Sequence, residues 1–128
     1  MLKKIIIPTL CIIGAAVLFA GITVLRYERI LSAIELQTPD LSQIQDGTFN
    51  GVFSAILVSA DVDVTVENHR ITEIVINRHS HGRRSAVEAE SVINDVIFMQ
   101  SLEVNTISGA TGSSKVILSA IENALLSQ

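Results

Sequence analysis

The sequence predicts an α+β fold: a small antiparallel sheet with two packed helices, preceded by one N-terminal transmembrane helix. Three observations support this prediction. Residues 5–25 contain no charged side chain, residues 61–67 alternate between valine and polar side chains, and residues 115–126 carry apolar side chains at helical spacing. Strand-type segments that are followed by helical segments, rather than alternating with them, are typical of α+β domains.

The uncharged run at residues 5–25 predicts a membrane-spanning helix. At helical rise this run is long enough to cross the hydrocarbon core of a bilayer. We therefore expect residues 1–25 to be an uncleaved anchor that contacts membrane lipid, with a cleaved signal peptide as the alternative. Lys3, Lys4 and the terminal amine before the run slightly outnumber Arg26 and Arg29 after it, which favours a cytoplasmic N-terminus.

Residues 26–45 predict a juxtamembrane helix and linker that lead to one small domain at residues 46–128. Tyr27 takes the position of an interfacial anchor, and Pro39 ends the helical pattern. Beyond residue 25 the chain holds seven of the nine basic residues and all thirteen acidic residues. So acidic a domain argues against nucleic acid as a partner, because nucleic acid requires a basic face.

Three segments predict antiparallel strands. Residues 49–59 are apolar and β-favouring, and residues 61–67 alternate as a half-buried strand does. Asn68-His69 predicts the hairpin turn that leads to a third strand at residues 71–77. Because the apolar residues of this third segment fall on both faces, we expect it to be the central strand.

Two helices are predicted after the strands. Residues 85–99 carry one apolar stripe and residues 115–126 carry another. A polar loop at residues 79–84 precedes the first of these helices. We also expect the phenylalanines outside the membrane run to pack in the core. They are Phe49, Phe53 and Phe98.

A loop of small residues leads into the last helix and is the best candidate for a binding site. Its hydroxyl and glycine residues are Ser108, Gly109, Thr111, Gly112, Ser113 and Ser114. Glycine lets the backbone approach a ligand closely, and either Ser113 or Ser114 is a suitable N-cap for the helix. Free N–H groups at the positive end of a helix dipole suit a phosphate. An ordinary serine- and glycine-rich turn with a helix cap is the alternative.

Ser108-Gly109-Ala110-Thr111, followed by Gly112-Ser113-Ser114, resembles the flavinylation motif of the FMN-binding domain family. This family includes one of the subunits of the sodium-pumping NADH:quinone reductase and one of those of the Rnf electron-transfer complex. In the family, the last threonine of the motif carries FMN through a phosphoester bond, which a separate flavin transferase installs. The resemblance therefore implies covalent FMN on Thr111.

The resemblance covers nearly the whole chain after residue 45. Four further segments carry it, in this order: Asp46-Gly47-Thr48-Phe49-Asn50-Gly51, Asn68-His69-Arg70-Ile71-Thr72-Glu73-Ile74, His79-Ser80-His81-Gly82-Arg83-Arg84 and Gln100-Ser101-Leu102. Several segments in the same order are more specific than one short motif. The sequence departs from the family at Asn105, where members usually have an acidic residue.

The resemblance itself implies only Thr111 as a cofactor-binding residue; given FMN, the chemistry of the other polar and small residues extends the predicted set to seven. They are Thr111, Ser108, Gly109, Ala110, Gly112, Ser113 and His79. Ser108 and the backbone of residues 109–113 would hold the phosphate, whereas His79 would contact the ring and favour the reduced flavin. His79 belongs to a cationic cluster with His81, Arg83 and Arg84. A solvated loop is the alternative for this cluster.

No catalytic residue and no metal site are predicted. Thr111 has no histidine or carboxylate base beside it in the sequence, which is typical of a substrate of another enzyme rather than of a hydrolase. His79 and His81 are spaced as a pair of metal ligands, but the sequence places no third ligand with them.

We therefore expect a membrane-anchored electron-transfer flavoprotein, a redox carrier or a component of an oxidoreductase complex rather than a stand-alone enzyme. Its domain would lie outside the cytoplasmic membrane of a prokaryote, where a covalent bond keeps the cofactor from diffusing away. The expected partners are a flavin transferase and a membrane redox partner or complex. The alternative is a single-span interaction or sensory module, pilin-like or anion-binding, without covalent flavin.

Overall fold

The computed structural model describes residues 1–80 and 85–128 and confirms the α+β class. The chain begins with one long helix and continues into three antiparallel strands, which helices follow. The elements are α1 (Leu2–Ala33), β1 (Gly47–Ala55), β2 (Val58–Glu67), β3 (Arg70–Ser80), α2 (Ser85–Glu88), α3 (Val92–Met99) and α4 (Thr111–Leu126). Short 3-10 turns lie at Leu41–Gln43 and Ala89–Ser91.

Helix α1 is one continuous element that joins the uncharged run to the predicted juxtamembrane helix. It is 32 residues long, none of its residues is buried, and the mean hydropathy of its most apolar window is 2.6. By length and composition it can therefore cross a membrane. It ends at Ala33, a few residues before Pro39.

The three strands form one antiparallel sheet in the order β1-β2-β3. The prediction that residues 71–77 form the central strand is wrong, because β2 is central and β3 lies at an edge of the described sheet. The register between β2 and β3 is irregular where Val62 lies opposite Ile76. A second irregularity, opposite Thr65 and Val66, places Ile71 and Ile74 on the same buried face, and Val75 next to Ile74 faces outward and is 44% exposed.

Two tight turns connect the strands. The turn at Asn68-His69 is confirmed, and both residues have the positive φ angles, 51° and 61°, that two-residue hairpin turns require. The predicted strand at residues 49–59 is divided, because the chain turns at Ile56, where φ is 51°. Ile56 and Leu57 are half exposed at the tip of this first hairpin.

Helix α4 covers one face of the sheet and forms the core with it. Buried side chains of α4, such as Ile117 and Ile121, belong to one hydrophobic cluster with the inward-pointing valines of β2. Gly51 of β1 lies directly against the α4 backbone, where a Cβ would overlap the carbonyl oxygen of Ala120. Close contact between this strand and the helix therefore depends on glycine at position 51.

The helices differ from their predicted bounds. The last helix begins earlier than residue 115, at Thr111, and the predicted helix at residues 85–99 is interrupted by the 3-10 turn Ala89–Ser91. In α3, Val96 is buried but Phe98 is 84% exposed. The expectation that Phe98 packs in the core is wrong, because positions i and i+2 of a helix face different directions.

The other two phenylalanines of the domain behave as expected. Phe49 and Phe53 are partly buried and pack against the hydrophobic core from β1.

Candidate functional site

A cavity of about 630 Å³ lies where three parts of the chain meet. These parts are the end of α1, the tip of the β1–β2 hairpin, and the first turn of α4 with the loop before it. The residues that line the cavity include Val24, Tyr27, Leu31, Leu57, Val58, Gly109, Ala110, Thr111, Gly112, Ser113 and Lys115. Small-molecule sites typically have volumes of about 300–1,000 Å³. This cavity is therefore the candidate binding site.

One end of the cavity is polar and is formed by the N-terminus of α4. The helix begins at Thr111, and Ala110 at the N-cap position provides no side-chain cap. The prediction that Ser113 or Ser114 caps the helix is wrong, because both residues are buried within its first turn. The first N–H groups of the helix thus retain their capacity to bind an anion.

Ser114 instead fixes the loop that precedes the helix. Its hydroxyl donates to the carbonyl oxygen of Ala110 at 2.9 Å and accepts a hydrogen bond from the N–H of Ile107 at 3.0 Å. Gly109, within this loop, has a φ of 80°, which glycine adopts without strain. The loop is held from its buried side, while the Thr111 side chain lies exposed on the other side.

The opposite wall of the cavity comes from α1 and is mixed, because Glu28 and Ser32 line it together with larger apolar and aromatic side chains. Val24, Tyr27 and Leu31 are spaced so that they lie on one face of the helix. Tyr27 reaches Gly112: a Cβ on this glycine would overlap the Tyr27 hydroxyl and lie 3.1 Å from Cδ1 of Leu31. Glycine at position 112 therefore permits close contact between α1 and α4.

Residues 59–126 match the family model of the FMN-binding domain. The match covers more than half of the chain and extends from β2 to α4, so that it includes the loop at Thr111. The chain belongs to the FMN-binding domain family. Membership indicates a flavin-binding protein with a role in electron transfer. Comparison with curated proteins and with solved structures gives no match.

The cavity of this FMN-binding domain suits FMN at both ends. FMN combines a charged phosphate with a flat and largely apolar ring system. The N-terminus of α4 offers N–H groups beside the exposed Thr111 hydroxyl, and both suit the phosphate. Leu31 and Leu57 offer apolar surface and Tyr27 offers an aromatic ring, which suit the flavin ring. The residues present therefore fit the cofactor of the family.

Most of the residues predicted to bind FMN lie together at this cavity. Those that line it are Gly109, Ala110, Thr111, Gly112 and Ser113. Ser108 is exposed and adjoins Gly109, but it does not belong to the described wall. The individual contacts of these residues with FMN stay predictions.

His79 is not part of the described wall of this cavity. It lies in β3 opposite Ala60 of β2, and its side chain is only 2% exposed. Nδ1 of its ring is 3.2 Å from Oε1 of Glu90. A contact between His79 and the flavin stays a prediction. The other members of its cationic cluster, at positions 81, 83 and 84, lie outside the described residues.

The contribution of α1 to the candidate site is absent from the sequence-based predictions. Tyr27 is expected only as an interfacial anchor, and residues 26–45 only as a helix and linker. The contact between Tyr27 and Gly112 joins parts of the chain that are distant in the sequence, so no local pattern predicts it. Because the predicted helix begins only at residue 115, Gly112 falls within the predicted loop, where a glycine is ordinary and gives no sign of this contact.

Proposed function

We propose that this chain is a membrane-anchored electron-transfer flavoprotein that carries FMN covalently through a phosphoester bond to Thr111. The observation that supports the proposal most strongly is the position of Thr111. Its exposed hydroxyl lies at the N-terminus of α4, in a cavity whose other walls offer the apolar and aromatic surface of Tyr27, Leu31 and Leu57 beside the polar Glu28 and Ser32. The same threonine ends the Ser-Gly-Ala-Thr motif in a chain of the FMN-binding domain family.

The residues around Thr111 orient the phosphate. The N–H groups of the first turn of α4 point along the helix axis and stabilise negative charge at this end. Gly109 leaves open space beside the backbone of the loop, and the hydroxyl of Ser108 adds a further donor next to it. Bound FMN supplies the one- and two-electron chemistry, while the protein supplies attachment, orientation and exclusion of water.

A separate flavin transferase makes the bond. Thr111 is exposed and therefore accessible to this second protein. The Thr111 hydroxyl loses its proton and its oxygen forms the ester to phosphorus as the pyrophosphate bond of FAD breaks and AMP leaves. The protein therefore gains the mass of FMN less one water.

Helix α1 anchors the domain to the cytoplasmic membrane of a prokaryote, in contact with lipid over residues 5–25. Lys3 and Lys4 favour a cytoplasmic N-terminus, which places the flavin domain on the extracytoplasmic side. On that side a covalent bond prevents loss of the cofactor. A membrane redox partner or complex supplies and accepts the electrons.

The test is covalent loading of the full chain. The chain is expressed in membranes with and without a flavin transferase, denatured, and examined by gel fluorescence and intact mass. Wild type and Thr106→Ala should fluoresce and carry FMN less one water when the transferase is present, whereas Thr111→Ala should not. Thr106 is a matched control because it lies in the same loop. A colourless wild type, or a labelled Thr111→Ala, would contradict the proposal and favour the single-span module without covalent flavin.

A further inference from the structure

We infer that the end of the membrane helix is itself a wall of the flavin site, with Tyr27 against the flavin ring and the cofactor held at the membrane surface. This inference rests on the proposed function for the presence of FMN. It adds a binding residue, Tyr27, from outside residues 59–126, the part of the chain that matches the family.

The first argument is that α1 and the domain share the cavity. The face of α1 that lines it is apolar or aromatic at Val24, Tyr27 and Leu31 and polar at Glu28 and Ser32, and the hairpin tip contributes Leu57. Without α1 this side of the site would be open to solvent. A flat apolar ring gains the most binding free energy when protein covers both of its faces, because more apolar surface is then removed from water.

The second argument is that α1 is docked on the domain rather than loosely tethered to it. The Lys115 ammonium donates to the carbonyl oxygen of Leu31 at 3.1 Å. The N–H of Gln37, just beyond the helix, donates to the carboxylate of Glu122 in α4 at 3.1 Å. Both contacts hold the end of α1 against α4, the helix that also carries Thr111.

The third argument is that Tyr27 and Thr111 lie at opposite ends of a short path along one surface. Gly112 follows Thr111 directly, and the Tyr27 hydroxyl occupies the space where a side chain at position 112 would lie. A cofactor attached to Thr111 that extends into the apolar part of the cavity therefore meets the Tyr27 ring. An aromatic ring in contact with a ligand ring stacks on it or packs edge-to-face against it.

The fourth argument is the position of the cavity relative to the membrane. The uncharged run ends at Leu25, and Tyr27 lies only about 3 Å further along the helix axis at about 1.5 Å per residue. Val24, which also lines the cavity, belongs to the uncharged run itself. The cavity therefore extends to the boundary between hydrocarbon and headgroups, and a redox partner must meet the flavin at the membrane surface.

The experiment uses the full chain, loaded by a flavin transferase and placed in lipid nanodiscs. Gel fluorescence after denaturation first measures covalent loading, so a failure of the proposed function is recognised separately as the absence of label. Native flavin fluorescence is then compared among wild type, Tyr27→Phe, Tyr27→Leu and the control Arg29→Gln, which alters an exposed residue of the same helix. A phenol in contact with a flavin quenches its fluorescence by electron transfer, whereas phenylalanine and leucine do not.

We expect equal loading in all four proteins, and severalfold brighter native fluorescence in both Tyr27 variants than in wild type and Arg29→Gln. Nanodiscs with a nitroxide on the lipid headgroup should quench wild-type flavin more strongly than nanodiscs with the nitroxide near the acyl-chain end. Loaded protein with the same native fluorescence in wild type and Tyr27→Phe would overturn the inference. The inference would also be overturned if headgroup nitroxide left the fluorescence of the wild-type flavin unquenched. This second result does not depend on the folding of any variant.

Discussion

The ammonium of Lys115 donates a hydrogen bond to the carbonyl oxygen of Leu31 at 3.1 Å and so joins the N-terminal part of α4 to the last turn of α1. The last carbonyl groups of a helix lack partners within it, and a cation stabilises this end. The last turn of α1 has no basic residue of its own. Lys115, which also lines the candidate site, therefore holds the end of α1 against α4.

Replacement of Lys115 by methionine should loosen this junction. Methionine retains an apolar stem but lacks the donor, and the lost contact with a helix C-terminus is worth about 1 kcal/mol. Hydrogen exchange in nanodiscs should show the amides of the last turn of α1 exchanging about fivefold faster, because about 1 kcal/mol corresponds to that factor. Lys115→Arg should preserve the protection. Unchanged exchange in Lys115→Met would show that the contact does not hold the helix.

A side chain at position 51 should destabilise the whole domain. A Cβ on Gly51 would overlap the α4 backbone at Ala120 and Ala124, and backbone cannot swing aside as a side-chain tip can. Overpacking of this kind reduces the free energy of unfolding by about 1–3 kcal/mol or more. Thermal unfolding followed by circular dichroism should show a clearly lower midpoint for Gly51→Ala. Ser54→Ala, at an exposed position of the same strand, should leave the midpoint unchanged.

Much of the sheet could be predicted from the sequence because its signals are local. The alternating valines of β2 and the Asn68-His69 turn each specify their structure through nearest neighbours. The order of the strands could not be predicted in the same way. The two-faced apolar pattern around Val75 results from an irregular register with β2, and a register is a property of two strands together.

The same distinction between local and distant interactions applies to the candidate site. The loop from Ser108 to Ser113 could be found from its small residues and its resemblance to a motif. The role of Ser114 could not, because a buried hydroxyl that binds Ile107 and Ala110 looks in the sequence like an ordinary N-cap. The wall at Tyr27 depends on packing between segments that are distant in the sequence. Hydrophobic periodicity predicts local structure and does not predict such packing.

Gln100 should contribute more to stability than its polar side chain suggests. Its amide pairs with both backbone groups of Ile71 on the edge strand: Oε1 accepts from the N–H at 2.7 Å and Nε2 donates to the carbonyl at 2.8 Å. The amide thus makes the pair of hydrogen bonds with Ile71 that the backbone of a neighbouring strand would make. Gln100→Ala should reduce the free energy of unfolding by about 1–3 kcal/mol, because two partly buried backbone groups lose their partner.

Urea unfolding of the full chain in detergent measures this loss. Gln45→Ala is the matched control, since Gln45 is exposed in the linker. Gln100→Glu keeps the acceptor but cannot donate to Ile71, and it should also be less stable than wild type. Equal midpoints for Gln100→Ala and Gln45→Ala would contradict a structural role for the amide.

The pairing of Asn50 with Asp63 should make stability depend on pH. The two residues lie opposite each other in β1 and β2, and the Asn50 amide donates to the Asp63 carboxylate at 2.8 Å, which holds the pKa of this carboxyl below its ordinary range. A carboxyl whose pKa is lower in the folded state stabilises the fold above its unfolded pKa of about 3.9, and this stabilisation is lost as the pH falls through the folded pKa. In urea unfolding, Asn50→Ala should therefore be less stable than wild type near neutral pH, and the difference should narrow as the pH falls below about 4. A difference that widens on acidification would show that the Asn50 amide does not stabilise the ionised carboxylate.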